Sequence, residues 1–536
     1  MCNVFRRIRS RRGGGGVERG GDPWVALIGI KLRTERKTTK GSMCHHEEKL
    51  CKNRDGGAMN SVTQVTESVR QILEEEANVL AIKSGFIQRE RVLSGADFAQ
   101  TLIFGWLAEP EITLGGLTQV AGRREVEITA SGLCQRFTQA AADFLQRLLE
   151  RLTQVRLQAE AAPTPLLKRF TAVIVEDSSQ ISLPDELAEL WRGTGGSQAA
   201  LKLFVRWNVL SGELHGPLLT DGRQADAKSP FQEQEVPAGG LYLGDQAFFE
   251  QGRLRQWHQR QEGQRRYYLM RLPVGTGLYT RRGHRLLLPG ILPQQEGATV
   301  ELGVLVGQKA RVPARLILQR VPEEVAEQRR QRLRAEAHDQ GREPSEETLY
   351  LAGWIIVVTN VPRRMLSLPE TLVVLTVRWQ IELLFRLWKE DGQIDEWRST
   401  KRWRIVCEVY AKLAAMLIQH WLIEVGCWHD PQRSLVKAAQ VVRREAGQLM
   451  VAIREGRVEH VVRQIMRCMR SGCRIEKRKQ FPSTAQRLEG APVLGGKRPQ
   501  YPKGRHRDQA RRWPAGKGWA SSKQRGKTNS RVSSLT

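Results

Sequence analysis

Hydrophobic positions divide the chain into helical ends and a strand-rich middle. From Val62 to Ile82 and from Gly132 to Leu152 apolar residues return every three or four positions, which predicts amphipathic helices joined by short Gly- or Pro-containing turns. Phe170 to Val175, residues 199–210 (AALKLFVRWNVL), the following SGELHGPLL and Gly239 to Gly244 are short apolar runs bounded by turn residues and read as strands, with a helical DELAELW after the first. Between Gly252 and Tyr350 come RYYLMRLP, HRLLLPGIL, TVELGVLV and VPARLILQRV, then a charged helical stretch from Pro322 to Asp339. Leu351 to Thr359 reads as the last strand, residues 371–402 as one long helix with its turn, and the segment from Arg404 to about Met469 as further helices. The pattern is that of an α/β protein with an amino-terminal helical part.

Charge changes the picture at the ends. Lys and Arg number 85 against 57 Asp and Glu, a net +28 that calls for a polyanionic partner. Residues 1–58 carry +8 and residues 490–536 carry +11, leaving +9 for everything between. Both ends are Gly- and Arg-rich with little periodicity, and they are expected to be disordered basic extensions. Met59 stands where the folded sequence begins and is an alternative translation start.

The eight cysteines show no C-x-x-C pair, which fits a reducing cytoplasm. Cys44, His45, His46 and Cys51 lack a second ligand pair of zinc-site spacing. No secretory signal is convincing, and no membrane span is expected. Ile405 to Trp428, the most apolar long stretch, is broken by Glu408, Lys412, His420 and Glu424, as in a buried globular helix.

Candidate chemistry sits on the helix from 371. At ~100° per residue Arg378, Glu382 and Lys389 fall within roughly 40° of one another, while apolar residues cover the rest of the rod. An ionised stripe on a core helix must be paired, metal-bound or turned toward a polar ligand. An exposed Arg/Glu pair is the plainer reading. Two more carboxylates end buried strands: Asp177, whose neighbour Glu176 must point to the opposite face, and Asp245, directly after GGLYLG. Asp221 and Asp226 are rivals in a Gly/Pro-bounded loop without a buried strand before them.

Arg378, Trp379, Gln380, Ile381, Glu382, Phe385, Trp388 and Lys389 resemble the R-W-x-I-E-x-x-F-x-x-W-K core of the Y-x2-R-x3-E-x6-K signature of DDE transposases of the insertion-sequence-four family. The signature tyrosine falls on Leu375. The resemblance covers roughly Met59 to Leu488. It implies a ribonuclease-H-like catalytic core interrupted by a mostly β insertion: a DNA-binding helical domain over 59–160, the core over 161–250 and 351–489, and the insertion over 251–350. Asp177, Asp245 and Glu382 would be the catalytic, metal-holding triad, served by two Mg2+ or Mn2+ ions. Arg378 and Lys389 would contact DNA phosphates; Trp354 would stack on a base flipped from a DNA hairpin or, equally, pack in the core as a strand residue. The partners implied are double-stranded DNA, at element ends and target, and a second copy of the chain in a homodimer on paired ends, in the cytoplasm at the nucleoid. Leu375 keeps open a non-catalytic DNA-binding descendant, and a structure-specific nuclease is a third reading.

Overall fold

The amino-terminal periodicity forms helices whose breaks are set by capping residues. The computed structural model describes residues 55–490, apart from 90–91, 158–159, 161, 163, 195–196, 233, 260–261, 340 and 476–483. The expectations for 1–54 and 491–536, and the Cys44, His45, His46 and Cys51 site, lie outside the described residues. Helix α1 (Asp55–Arg70) passes through a π-turn (Gln71–Glu76) into α2 (Ala77–Lys83). It starts before Met59, inside the segment expected to be disordered. α3 (Gly95–Ala108) opens on a capping box between Ser94 and Asp97. α4 (Leu114–Gly122) and α5 (Ala130–Cys134) open on the hydroxyls of Thr113 and Thr129. The single helix expected over Gly132–Leu152 is interrupted, because the Thr138 hydroxyl accepts from the Ala141 amide and starts α6 (Gln139–Thr153).

Ten strands then build one sheet in the order β3-β2-β1-β4-β5-β10-β9-β8-β6-β7. β1 (Val173–Leu183) pairs antiparallel with β2 (Ala199–Asn208), and β2 with β3 (Leu214–Asp221). On its other side β1 pairs parallel with β4 (Leu241–Gly244), which pairs parallel with β5 (Tyr267–Arg271) after the crossover helix α7 (Gln251–Gln259). Tyr267–Arg271 was assigned to the insertion; its parallel pairing with β4 makes it a core strand. The rest of the segment expected as the insertion follows: β6 (Leu278–Tyr279), β7 (Arg285–Leu286), β8 (Thr299–Val306), β9 (Val312–Arg320), α8 (Glu323–Asp339) and α9 (Glu346–Leu351). Its strands lengthen the same sheet through β10 (Trp354–Thr359), which pairs antiparallel with both β5 and β9. The expected strand from Leu351 is therefore shorter, its first residue belonging to α9. DELAELW forms only a 3-10 turn, Asp185–Leu187.

After a Ser367–Glu370 capping box, α10 (Leu368–Leu375), a 3-10 turn (Thr376–Arg378), α11 (Trp379–Arg386) and a π-turn (Leu387–Asp391) follow without a break and make one rod. α12 (Arg402–Cys427), α13 (Leu435–Arg454), α14 (Val458–Gly472) and α15 (Thr484–Glu489) complete the described chain.

Side-chain alternation gives each sheet face its own core. Val173, Val175, Leu241, Leu243, Leu269 and Val357 lie in one cluster with the rod, α12 to α14 and the amino-terminal helices. Ile174, Tyr242, Tyr268, Met270, Trp354 and Val358 lie in the other, with α7 and the insertion. α3 and α6 pack on α12, α3 also on α13, and α1 on α14, so the segment 59–160 shares a continuous core with the carboxy-terminal helices and is not a free-standing unit. α12 is long and apolar enough to cross a membrane, yet that window is wholly buried inside the protein. Its polar breaks are satisfied there: Lys412 lies 2.8 Å from Glu408, and the His420 ring shares a 2.9 Å hydrogen bond with the Gly212 carbonyl.

Candidate active site

Where β4 stops, two carboxylates meet. The parallel register sets Val173 beside Leu241, Ile174 beside Tyr242 and Val175 beside Leu243. Two residues further along stand Asp177, still on β1, and Asp245, the extended first residue past β4, at one level and on the face of Val175 and Leu243. Gly244 lets β4 reach that point: a Cβ there would lie 2.6 Å from Tyr242 Cε1 and 2.7 Å from Met270 Cε. Glu176 faces the other way and is fully buried, with Arg206 donating to its Oε2 from Nη2 at 2.8 Å and from Nε at 3.0 Å.

α11 packs against β1 and brings Glu382 to the same place. Arg378, one turn earlier, donates to Glu382 Oε1 and holds its Nη1 3.8 Å from Asp177 Oδ2. The guanidinium thus bridges the strand carboxylate and the helix carboxylate.

Burial raises the Asp177 pKa to about 7, with Glu382 and Asp245 pushing the same way and Arg378 and the Ser178 amide opposing. Asp177 keeps 22% of its side chain exposed, so it is crowded rather than sealed. Glu382 is also raised, by burial and by Asp245, against Arg378 and Arg271. For Arg378, burial favours proton loss, but Glu382, Asp245 and Asp177 outweigh it and hold the proton more firmly. Among the described residues no three His, Cys, Asp or Glu side chains close around a common ion position. Asp177, Asp245 and Glu382 share one electrostatic site without sharing a single centre. Asp177 and Glu382, raised first by burial and then by neighbouring carboxylates, nevertheless offer with Asp245 the hard oxygen donors that suit a divalent cation.

Lys389 lies on the π-turn, where its Nζ donates to the Gln180 carbonyl at 2.8 Å, further along β1 from Asp177. Leu375 ends α10 and packs against the core. The rival aspartates are used elsewhere: Asp226 accepts from the Ser178 hydroxyl at 2.5 Å and lies 2.8 Å from Lys202 Nζ, while Asp221 accepts from the Arg223 amide at 3.0 Å.

Trp354 is not brought to the carboxylates. Its position on β10 turns it to the opposite sheet face, where it is 6% exposed, donates from Nε1 to the Pro293 carbonyl at 2.8 Å and stacks under Arg320 at 4.3 Å. Sequence reasoning missed Arg271, the last residue of β5. With Gly244 paired to Met270, Arg271 is level with Asp245, and it interacts electrostatically with Asp245, Glu382 and Arg378. The signal was in RYYLMRLP, where a charge follows the apolar run at the position facing the candidate cluster.

Residues 168–418 match the transposase DDE domain family. The chain is 26% identical over 380 residues to the transposase for insertion sequence element IS231F of Bacillus thuringiensis subsp. israelensis, covering 66% of this chain and 78% of that one. The IS1151 transposase of Clostridium perfringens is 22% identical over 391 residues, covering 67% and 80%. A solved piggyBac transposase synaptic complex with hairpin DNA superposes with a TM-score of 0.38 at 8% identity, over 78% of this chain and 83% of that one. The protein is an enzyme of DNA strand cleavage and transfer, built on a DDE domain. Residues 168–418 carry the DDE domain of transposases, and the chain is similar over about two thirds of its length to the transposases of insertion sequences.

Proposed function

We propose that the chain mobilises its own insertion sequence by cutting DNA at the terminal inverted repeats and joining the freed ends to a target. The observation that carries this reading is the meeting of Asp177, Asp245 and Glu382 around Arg378. The strand order β3-β2-β1-β4-β5, antiparallel through β1 and parallel beyond it, supports a ribonuclease-H-like core.

Asp177, Asp245 and Glu382 would hold two divalent ions, Mg2+ or Mn2+. Such ions supply an activated oxygen nucleophile and charge relief on the leaving oxygen. Arg378 orients Glu382 and neutralises the phosphate between the two walls of the site, with a fork suited to bidentate contact. Lys389 anchors to β1 and offers a point charge to the same strand of DNA. Each step is an in-line displacement at phosphorus, so one site serves hydrolysis, attack by a 3′-hydroxyl on the opposite strand to form a hairpin, hairpin opening and strand transfer. The amino-terminal helices would read the repeat, and two copies would pair the ends. The cytoplasmic nucleoid is where such a substrate lies.

The test is cleavage of a duplex spanning an element end by the purified full chain, with Mg2+ or with a chelator. Mg2+-dependent nicking that leaves a 3′-hydroxyl, lost in Asp177→Ala, Asp245→Ala and Glu382→Ala while DNA binding persists, is the expected result. Binding without cleavage would favour a non-catalytic descendant, the alternative that Leu375 at the signature tyrosine keeps in view. Cleavage without joining would favour a structure-specific nuclease.

A further inference from the structure

The insertion ends in a basic edge that the candidate site does not use. In residues 274–313 five Lys or Arg residues (Arg281, Arg282, Arg285, Lys309, Arg311) face only Glu296 and Glu301. Glu301 is already neutralised by Arg315 at 2.8 Å and Arg363 at 3.1 Å. Arg311 is committed too, lying 3.4 Å over the Tyr279 ring. Arg281, Arg282 and Arg285 are exposed on the β6–β7 hairpin, and Lys309 is exposed on the adjoining turn.

The edge lies on the sheet face that carries the carboxylates. Glu301 is paired with Ile317, and Ile317 with Val357, both in the core on the Asp177 side. Gly303, two residues on, shares that face, and the guanidinium of Arg281 lies where its side chain would be, 3.4 Å from an ideal Cβ. Arg363, 68% exposed, stands between Arg281 and the core strands through its bridge to Glu301. A run of positive charge therefore leads from Arg271 through Arg315 and Arg363 to Arg281, Arg282 and Arg285 on one side of one sheet. Six strand spacings separate β1 from β6, roughly 29 Å at ~4.8 Å each. At ~3.4 Å per base pair that is about nine base pairs of duplex.

We propose that the β6–β7 hairpin is a backbone clamp for duplex DNA, gripping phosphates close to one helical turn from the scissile position. The proposal rests on the reading of Asp177, Asp245 and Glu382 as the cutting site. Phosphate is the chemistry that matches a row of exposed arginines, and such contacts position DNA without reading its sequence. Charges on an edge strand also block sheet-to-sheet pairing. Replacement by glutamate separates the two roles, since it keeps the edge charged and removes the phosphate ligand.

The experiment compares the full chain with Arg281→Glu/Arg282→Glu/Arg285→Glu on two duplexes, one extending about 20 base pairs on each side of the cut and one about four. Affinity of the variant for the long duplex should fall at least roughly tenfold at low salt, and the slope of log K against log salt should shrink by about 2 to 3. Affinity for the short duplex should change less than about twofold, because the hairpin lies beyond its end. Equal losses on both duplexes, or none on either, would overturn the clamp. If the glutamate variant is not monodisperse, Arg281→Gln/Arg282→Gln/Arg285→Gln gives the same comparison. A wild-type chain that binds both duplexes but never cuts refutes the cutting site instead, and leaves the length comparison to decide the clamp.

Discussion

Asp177 and Asp245 stand at the same level of two adjacent parallel strands, each two residues past the last paired couple, Val175 and Leu243. A parallel pair has evenly spaced, slanted hydrogen bonds, so backbone register delivers the two chains to this level, with Asp177 still on β1 and Asp245 extended as the first residue past β4. A one-residue slip of β4 would turn Asp245 to the face of Tyr242.

That alignment holds charges together at a cost in stability. Asp177 is protonated in the folded chain up to about pH 7, against an ordinary value of 3.8. Below the ordinary value the carboxyl is neutral in both states. As pH rises from there the unfolded chain ionises first, so stability falls until about pH 7 and then levels. The full shift corresponds to about 4 kcal/mol at most, and the side chain's partial exposure brings the expectation to on the order of 2 kcal/mol. Asp177→Asn should accordingly stabilise the protein by that amount at pH 8 and by almost nothing at pH 4, measured by urea denaturation, while abolishing cleavage. A variant no more stable than wild type at pH 8 would show that Asp177 titrates normally.

Arg378 offsets the same repulsion. Removing it leaves Glu382 and Asp177 without their shared cation, so both carboxyls should hold protons to higher pH. Arg378→Ala is expected to cut nicking at least about a hundredfold and to move the acidic limb of the pH–rate profile upward. Arg378→Lys should restore part of the limb's position, through charge, but less of the rate, because a point charge cannot bridge two walls. A profile that keeps its shape in Arg378→Ala would make the residue structural only.

Much of this was legible because the chemistry lies where periodicity is strong. Asp177 and Asp245 close apolar runs, and Glu382 shares a helical stripe with Arg378, so alternation and helical phase suffice to nominate them. Arg271 was not legible from spacing: β5 is followed directly by insertion strands of the same composition, and only its pairing with β4 separates core from insertion. The interruption before α6 turned on one hydroxyl, Thr138, which no apolar pattern reports. Trp354 stayed open between DNA and core for a related reason. Distance along the chain from Glu382 says nothing of sheet face, and the phase of β10 sets that face.

Trp354 consequently makes a structural prediction. It is buried, with its indole N–H bonded and Arg320 over its ring. Trp354→Ala should destabilise the fold by about 3 to 5 kcal/mol. Nicking and hairpin formation should then fall together, in proportion to the folded fraction, and Trp354→Phe should recover most of both. Normal nicking with selective loss of the hairpin, at unchanged thermal midpoint, would return Trp354 to the DNA.

The last prediction concerns how the Glu382 rod is held from behind. Past the π-turn the chain makes a tight turn in which Gln393 adopts φ 47°, a left-handed conformation that costs a non-glycine residue energy. Lys412, almost fully buried on α12, donates from Nζ to the Gln393 carbonyl at 3.1 Å and to the Glu396 carbonyl at 2.8 Å, and pairs with Glu408 at 2.8 Å. One ammonium thus ties the end of the Glu382 rod to the core helix. Lys412→Met would leave Glu408 buried without its partner and free both carbonyls, an expected loss of about 3 to 5 kcal/mol. Adding Glu408→Leu should recover the part due to the orphaned carboxylate. It should not recover the part due to the turn, because no donor replaces Nζ. The double variant is therefore expected to fold, with a thermal midpoint between the other two, and still to cut slowly, since Lys389 and Glu382 ride on a rod whose end is no longer tied. Wild-type cutting by the double variant would show that the turn holds without Lys412.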